Sequence, residues 1–256
     1  MQNQMILTPF FLDELLPGLE SLAEPDWLIN KPLLPGGETQ QRLSALHMPL
    51  ADFTQQSVSN AKRPVSIAGD CCTTIGVLAG LQRAGLDPVL IWFDAHGDFN
   101  TWQTTPSGFL GGMPLAMLVG RGEQTMPMAV DLKPLAEDRV ILTDARDLDP
   151  AEKLLVEEAG IIHLTDVSNL LDLTLPEGPL YVHIDTDVLD PAEAPAMNYL
   201  AAGGPSAKKL HTVMNHLNRT EKIAAVSVST WNPKMDEDGR SRKVCMGLLD
   251  ALINPP

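Results

Sequence analysis

Short apolar runs alternate with longer segments of helical periodicity along most of this chain. The run 89–93 has the unbroken apolar character of a strand buried on both faces of a sheet, and further strands are predicted at 64–68, 139–143, 161–164, 180–184 and 223–229. Between them, the spacing of apolar residues predicts helices, the longest at 74–84, 150–159, 206–217 and 244–253. Strands that alternate with helices predict an α/β fold in which helices cover both faces of a parallel sheet.

The first fifty residues give a weaker pattern. Met5, Ile6 and Leu7 predict a short strand, and residues 12–22 predict a helix that is interrupted near Pro17. A loop at 32–37 and a helix at 38–46 follow, and nothing in this stretch indicates chemistry. We find no repeat, low-complexity segment or linker, so residues 1–256 are predicted to form a single domain.

Two clusters of acidic residues come directly after two of the predicted strands. Asp94, His96 and Asp98 follow the run 89–93, and Asp185 and Asp187 follow the run 180–184. Ligands of parallel α/β folds bind beyond the carboxyl ends of the strands. An isolated acid pair is usually a solvated face, but these clusters adjoin apolar strands and one contains a histidine. Since carboxylates packed this closely repel each other, the pattern predicts a divalent metal site, with two ions.

Composition narrows the class of protein. The chain has 256 residues, of which 44% are hydrophobic, and a formal net charge of -15. An acidic chain without basic blocks argues against nucleic acids and anionic membranes as partners. Three cysteines without a spaced framework predict reduced thiols and a cytoplasmic protein. No signal peptide and no membrane span is expected.

The motifs together resemble the arginase/agmatinase (ureohydrolase) family. The resemblance is carried by Asp94-Ala-His96-Gly-Asp98, by His183-Ile-Asp185-Thr-Asp187-Val-Leu-Asp190-Pro191, and by Gly69-Asp70-Cys71, where the family usually has Gly-Asp-His. It continues through Asn100-Thr101, Ser107-Gly108, Arg146-Asp147-Leu148-Asp149-Pro150 and Asn232-Pro233. It implies a three-layer α/β/α fold with a mostly parallel central sheet, and a cluster of two Mn²⁺ ions per chain. It also implies hydrolysis of a guanidino or amidino C–N bond of a small molecule, and a homo-oligomer, often a trimer or hexamer.

The resemblance also implies a set of metal ligands. Asp94 and Asp185 would bridge the two ions; Cys71 and Asp98 would complete one site, and His96 and Asp187 the other. Hard carboxylates suit Mn²⁺, and two ions that share a water make hydroxide available near neutral pH for attack on the amidino carbon. Asp98 is in addition the candidate catalytic residue, because it could pass a proton to the leaving nitrogen.

Cys71 departs from the family pattern. As a thiolate ligand it is softer than histidine and would favour Zn²⁺, Co²⁺ or Fe²⁺ relative to Mn²⁺. Two alternatives stay open: Cys71 is a small buried residue beside a single metal, or it is a nucleophile that attacks the amidino carbon.

Three further positions differ where the family contacts the reacting group. The proton-shuttling histidine of arginase falls at Gly111, the guanidinium-binding glutamate at Thr230, and a polar asparagine at Phe109. Thr230 is therefore predicted to face the amidino group, in a pocket that is less anionic and more apolar than that of arginase.

The positions that hold an amino-acid head group are retained. Asn100, Thr105 and Ser107 match positions that bind an α-carboxylate, and Asp149 and Glu152 match those near an α-amino group. Each also has a structural alternative, because Asp149 before Pro150 is a good helix N-cap and Ser107-Gly108 a good turn.

An amino-acid head with a weakly basic amidino group describes N-hydroxy-L-arginine, and hydrolases of that compound in this family are associated with the Cys-for-His change. The chain is therefore predicted to be a ureohydrolase-type hydrolase of linear amidines. The alternatives are an ordinary arginase or other ureohydrolase, and an inactive relative that binds an amino acid or a partner.

Overall fold

Eight strands form one parallel sheet in the computed structural model of the protein, which describes residues 1–254. The ten strands are β1 (Gln2–Thr8), β2 (Phe10–Phe11), β3 (Glu14–Leu15), β4 (Leu28–Ile29), β5 (Lys62–Ala68), β6 (Val89–Asp94), β7 (Val140–Asp144), β8 (Ile162–Leu164), β9 (Leu180–Asp185) and β10 (Ile223–Ser229). The order across the sheet is β4-β1-β5-β10-β9-β6-β7-β8, and every pair is parallel. Strands β2 and β3 form a separate antiparallel hairpin.

Helices cover both faces of the sheet. They are α1 (Thr39–Ser59), α2 (Thr74–Arg83), α3 (Pro114–Leu118), α4 (Thr125–Ala129), α5 (Pro150–Glu158), α6 (Ala207–Arg219) and α7 (Arg240–Ile253). Each face of the sheet has its own hydrophobic core, and strand β6 contributes to both. Leu90 and Trp92 pack with α1 and α2 on one face, whereas Ile91 and Phe93 pack with α6 and α7 on the other. The predicted three-layer fold with a parallel central sheet is confirmed.

The predicted helix at 12–22 is wrong. The chain instead forms the β2–β3 hairpin, closed by a hydrogen bond from the Leu16 amide to the Pro9 carbonyl (2.8 Å), and then a 3₁₀ helix at Pro17–Leu22. Leu12 has a positive φ of 47°, and Leu16 before the proline lies outside the helical region, with φ -111° and ψ 81°. A residue before proline is disfavoured in the helical region, so a continuous helix cannot pass this point.

Helix α1 runs thirteen residues beyond its predicted end at 46, through Pro49. Proline removes one backbone hydrogen bond of the helix. Leu50 and Phe53 nevertheless continue the apolar face of α1, and they are buried in the core that also contains α2. Tertiary packing therefore outweighs the local signal that predicted an earlier end.

Glycines allow α1 and α2 to lie very close together. A Cβ atom at Gly80 would lie 2.5 Å from the carbonyl oxygen of Ala51 and 2.5 Å from Cβ of Thr54. At Gly76 it would lie 2.9 Å from the carbonyl oxygen of His47. All three contacts are with the backbone or a fixed Cβ atom of α1, so a larger residue would have to move a whole helix.

The sheet order brings the polar segments together. Strands β5, β10, β9, β6 and β7 are consecutive neighbours, so their carboxyl ends meet at one edge of the sheet. All the acidic motifs of the sequence follow these strands. Among residues 1–254, no helix combines the length and the apolar composition needed to cross a bilayer.

Candidate active site

Two neighbouring strands position the two acidic motifs. Asp94 ends β6 and Asp185 ends β9, and the strands pair in register through Trp92 and His183. After Asp94 the chain turns sharply, with Asp98 at a positive φ of 49°. After Asp185 it enters a 3₁₀ turn, where the Asp185 carboxylate accepts the backbone N–H of Asp187 (3.2 Å).

Asp94, His96 and Asp187 form the tightest polar group at this edge. The Nδ1 atom of His96 lies 3.3 Å from Oδ1 of Asp94 and 3.4 Å from Oδ2 of Asp187. One ligand atom from each residue lies within 4.8 Å of the others. Burial alone would lower the pKa of His96, but the carboxylates of Asp187 and Asp94 raise it to about 12. The two carboxylates thus favour a positive charge at this point, and a divalent cation bound by these three residues would supply it, with the imidazole neutral as a ligand.

The other three predicted ligands lie on the same cavity but do not converge as closely. Cys71, Asp98 and Asp185 line a cavity of about 420 Å³ together with His96 and Asp187. This volume is within the ordinary range of small-molecule sites, ~300–1,000 Å³. All six predicted ligands are thus close to one cavity, with Asp94 buried behind it.

The acids of this cavity repel one another. Burial, followed by the charges of Asp187, Asp94 and Asp98, raises the pKa of Asp185 well above its ordinary value. Burial and the charge of Asp94 do the same to the pKa of Asp98. The Oδ2 atom of Asp98 is buried and has no hydrogen-bond partner within residues 1–254. Buried carboxylates without a partner are costly, and divalent metal ions would supply both the missing partner and the missing positive charge, so the residues fit the predicted group.

Cys71 lies beneath the cavity. Its Sγ atom donates to the carbonyl oxygen of Gly111 (3.3 Å), and burial, then the charge of Asp98, raises the pKa of the thiol well above its ordinary value. Cys71 therefore keeps its proton at neutral pH unless a metal ion takes its place. This environment opposes a free nucleophilic thiolate.

The predicted head-group residues lie at the rim of the cavity. The Asn100 side chain donates to Oδ2 of Asp149 (2.9 Å), which joins the loop after β6 to the start of α5. Thr105 and Ser107 organise the tip of that loop: the Thr105 hydroxyl accepts the N–H of Gly108 (3.1 Å), and the Ser107 hydroxyl accepts that of Phe109 (3.2 Å). All four residues line the cavity.

Glu152 is deeper and more fully engaged than the other predicted head-group residues. It is buried, and its two oxygens accept the backbone N–H groups of Phe99 (2.8 Å) and Asp149 (3.2 Å). Burial raises its pKa to about 7. The bond to Asp149 is half of a capping box at the start of α5, so Glu152 positions the neighbouring Asp149 as well as lining the cavity.

Thr230 reaches the cavity from the end of β10. Its hydroxyl donates to Oδ1 of Asp185 and also lies 3.2 Å from the Thr186 hydroxyl. Its φ of 73° is in the left-handed region. The residue that stands where a guanidinium-binding glutamate is expected is thus bonded to a predicted metal ligand.

Phe109 and Gly111 depend on each other. A Cβ atom at Gly111 would lie 2.5 Å from two ring carbons of Phe109, because that ring occupies the space above the glycine. The two departures from the family pattern are therefore physically coupled. A histidine at 111 would need Phe109 to move.

Two residues that the sequence did not indicate also line the cavity. Phe11 comes from the β2–β3 hairpin and Tyr199 from the loop after β9. The first fifty residues carry no chemical signal in the sequence, yet Phe11 lines the cavity because the hairpin folds over the end of β5.

Known proteins resemble this chain in sequence and in fold. The sequence model of the arginase family matches residues 37–253. Arginase from Bacillus caldovelox is 31% identical over 217 residues, which are 80% of this chain and 73% of that protein. Arginase from Bacillus subtilis (strain 168) is 28% identical over 240 residues, or 88% and 81% of the two chains. The native structure of the Bacillus caldovelox arginase at pH 5.6 superposes with a TM-score of 0.85 at 25% identity, covering 100% of this chain and 99% of that one.

The chain belongs to the arginase family, a family of metal-dependent ureohydrolases that act on guanidino compounds. Phe11 precedes the matched region.

Proposed function

We propose that this protein hydrolyses a guanidino or amidino C–N bond of an amino-acid-like substrate, and that N-hydroxy-L-arginine is the substrate it fits best. One observation carries the proposal: the residue at 230 is a threonine whose hydroxyl bonds to Asp185. No carboxylate stands there to pair with a guanidinium cation. A hydroxyl on the guanidine withdraws electrons and lowers its basicity, so the N-hydroxy compound is partly neutral near pH 7 and needs that carboxylate less.

We propose two divalent ions, Mn²⁺ or a softer metal favoured by Cys71, held by Cys71, Asp94, His96, Asp98, Asp185 and Asp187. Bound metal supplies Lewis acidity and makes a water acidic enough to be a nucleophile near neutral pH. The close approach of Asp94, His96 and Asp187 and the unpartnered oxygen of Asp98 support this ligand set.

Asp98 is the proposed carrier of a proton to the leaving nitrogen. Its buried Oδ2 atom has no hydrogen-bond partner within residues 1–254, which leaves an oxygen able to take up that proton. Cleavage breaks the bond between the amidino carbon and the side-chain nitrogen. That nitrogen leaves as an amine only if it gains a proton.

The rim is proposed to hold the amino-acid head. Thr105 and Ser107 present hydroxyls to a carboxylate, and Asp149 presents an oxygen to an ammonium group. The bond between Asn100 and Asp149 fixes the two sides of this rim relative to each other, which orients the substrate with its amidino end toward the acids.

Hydrolysis of L-arginine is the second candidate, and it is favoured by relatives of this chain that are themselves named arginase. Both amino acids release ornithine, so a single assay compares them. We expect Mn²⁺-loaded protein to release ornithine from N-hydroxy-L-arginine with a kcat/KM at least tenfold higher than from L-arginine, with Asp185→Ala as the inactive control. Faster release from L-arginine would indicate an ordinary arginase, and release from neither would indicate an inactive relative.

A further inference from the structure

Three aromatic rings form one side of the cavity, and we call Phe11, Phe109 and Tyr199 the aromatic wall. The ring centroids of Phe109 and Tyr199 are 5.0 Å apart, and Phe11 lies 6.3 Å from Phe109 and 6.4 Å from Tyr199. These separations are those of interacting aromatic pairs. All three residues line the cavity whose other side carries the acids.

Each ring is held by a different part of the chain. The hairpin with Phe11 is fixed to the end of β5, because the Leu12 amide donates to the buried Asp70 carboxylate (2.7 Å) and the Gly69 amide donates to the Phe10 carbonyl (2.9 Å). A Cβ at Gly69 would lie 2.2 Å from that carbonyl oxygen, so the close approach requires glycine. The position of Phe11 is therefore determined by the same loop that presents Cys71.

Tyr199 is fixed to the segment that follows β10. The Asn232 side chain donates to the Asn198 side chain (2.6 Å), and the Asn232 amide donates to the Ala196 carbonyl (2.9 Å). Met197 and Trp231 form an isolated antiparallel bridge beside them. Tyr199 is nonetheless 47% exposed, so much of its surface remains free toward the cavity and solvent.

Phe109 lies beside both of the other rings and against Gly111. Its ring fills the space that a side chain at 111 would take. It is partly exposed, as is Phe11. Three rings held in place but left partly uncovered at a cavity have apolar surface available for a ligand.

We propose that the aromatic wall is a subsite for the hydrocarbon part of the substrate, and that it selects amidino compounds by the length of their apolar stem. This inference rests on the proposed function in taking an amidino compound as the occupant. The acids attract the polar amidino end, which leaves the stem to pass the three rings on its way to the rim. Burial of methylenes against the rings then supplies affinity that is independent of charge.

The test uses methylguanidine and n-butylguanidine, which carry the same charge and differ by three methylenes. Calorimetric titration of the metal-loaded full chain should give a dissociation constant at least tenfold lower for n-butylguanidine, and complete burial of three methylenes would give a limit of about fiftyfold. We call the dissociation constant of methylguanidine divided by that of n-butylguanidine the binding ratio. In the Phe109→Ala and Tyr199→Ala variants this ratio should fall to threefold or less, while the dissociation constant of methylguanidine changes less than twofold.

Further variants distinguish the loss of contact with the aromatic rings from a general disturbance of the structure. Tyr199→Phe keeps the ring and should keep the ratio. Gly111→Ala should lower the ratio, because its Cβ displaces Phe109. Leu200→Ala is the matched control: Leu200 is 46% exposed, adjoins Tyr199 and does not line the cavity, so the ratio should not change. An unchanged ratio in both Phe109→Ala and Tyr199→Ala would overturn the inference.

The subsite is tested by binding, whereas the proposed function is tested by hydrolysis. The binding ratio does not depend on turnover. A ratio that falls in the ring variants of a protein that hydrolyses no guanidino compound would support the subsite and refute the proposed function. Efficient hydrolysis of N-hydroxy-L-arginine with a ratio insensitive to the rings would do the reverse.

Discussion

Thr230 combines backbone strain with a bond to a predicted metal ligand. A β-branched residue is rarely found in the left-handed region, where Thr230 has a φ of 73°. Such strain persists at positions where the surroundings determine the conformation, which are often functional. For Thr230, the Asp185 carboxylate accepts a hydrogen bond from the side-chain hydroxyl, and the Ser229 carbonyl oxygen lies 2.7 Å from the same hydroxyl.

We predict that Thr230→Val, which keeps the shape but loses the hydroxyl, weakens Mn²⁺ binding about 10- to 100-fold, as expected for the loss of a partner that orients a ligand. Thr230→Ser keeps the hydroxyl and removes the branched methyl, so it should bind Mn²⁺ within about threefold of the parent. Titration of Mn²⁺ into each apoprotein measures both effects. Equal affinities of the valine and serine variants would show that the hydroxyl does not orient Asp185.

At the residue level, sequence motifs identified the acids of the cavity but not their surroundings. Asp94 and Asp185 were predictable because each follows an apolar strand. The strained backbone of Thr230 was not, because nothing in a threonine-tryptophan pair indicates a positive φ. Phe11 was not either, since its contact with Phe109 spans almost a hundred residues and depends on the hairpin that replaced a predicted helix.

At the level of secondary-structure elements, the close packing of helix α1 on helix α2 depends on single glycine residues. Gly80 faces the backbone of α1, and its hydrogen is the only substituent that fits there. Helix propensity alone would favour alanine at this position by ~1 kcal/mol. Steric conflict with Ala51 and Thr54 opposes this gain, because overpacking a well-packed core costs ~1–3 kcal/mol, occasionally more.

We therefore predict that Gly80→Ala lowers the free energy of unfolding, measured by urea denaturation, by up to about 2 kcal/mol, which is the overpacking cost less the gain in helix propensity. Gly247→Ala in α7 is the matched control, since a Cβ there would have its nearest neighbour at 3.4 Å, the side chain of His211. That variant should be neutral or stabilised by up to ~1 kcal/mol. A stabilised Gly80→Ala would contradict the packing described for these helices.

Elements of the sheet were predicted well because burial on both faces leaves a continuous apolar run. Strand β10 was predicted with its observed bounds, and β6 differs only at Asp94. Elements that depend on distant contacts were not predicted: β4 has only two residues and is defined by its pairing with β1, and α1 continues past Pro49 because α2 covers its apolar face.

For the whole molecule, the acidic cluster couples metal binding to pH. Burial, then the charge of Asp94, raises the pKa of Asp187 to about 6, and burial with the neighbouring carboxylates also raises the pKa values of Asp185 and Asp98 well above their ordinary value. Between the unfolded value near 4 and these raised values, the folded apoprotein binds more protons than the unfolded chain. Its stability therefore falls as pH rises through this window. Bound metal would replace those protons and so remove this loss of stability at higher pH.

We predict that the gain in Tm on adding Mn²⁺ to chelator-treated protein is larger at pH 8 than at pH 5.5, by about 5 °C or more. The buried His47, whose pKa is lowered to about 3 by burial, makes both forms less stable in acid and cancels in the difference. Asp185→Ala should lose most of the gain at either pH. A gain that is equal at the two pH values, or larger at pH 5.5, would contradict the coupling.

Six side chains at one cavity are proposed to hold two metal ions, and elemental analysis of protein purified with Mn²⁺ measures their number. Two ions per chain are expected in the parent and neither in Asp94→Ala, because the family resemblance implies that both ions would depend on that carboxylate. One ion per chain, or none, would contradict the two-metal site and the hydrolytic mechanism built on it.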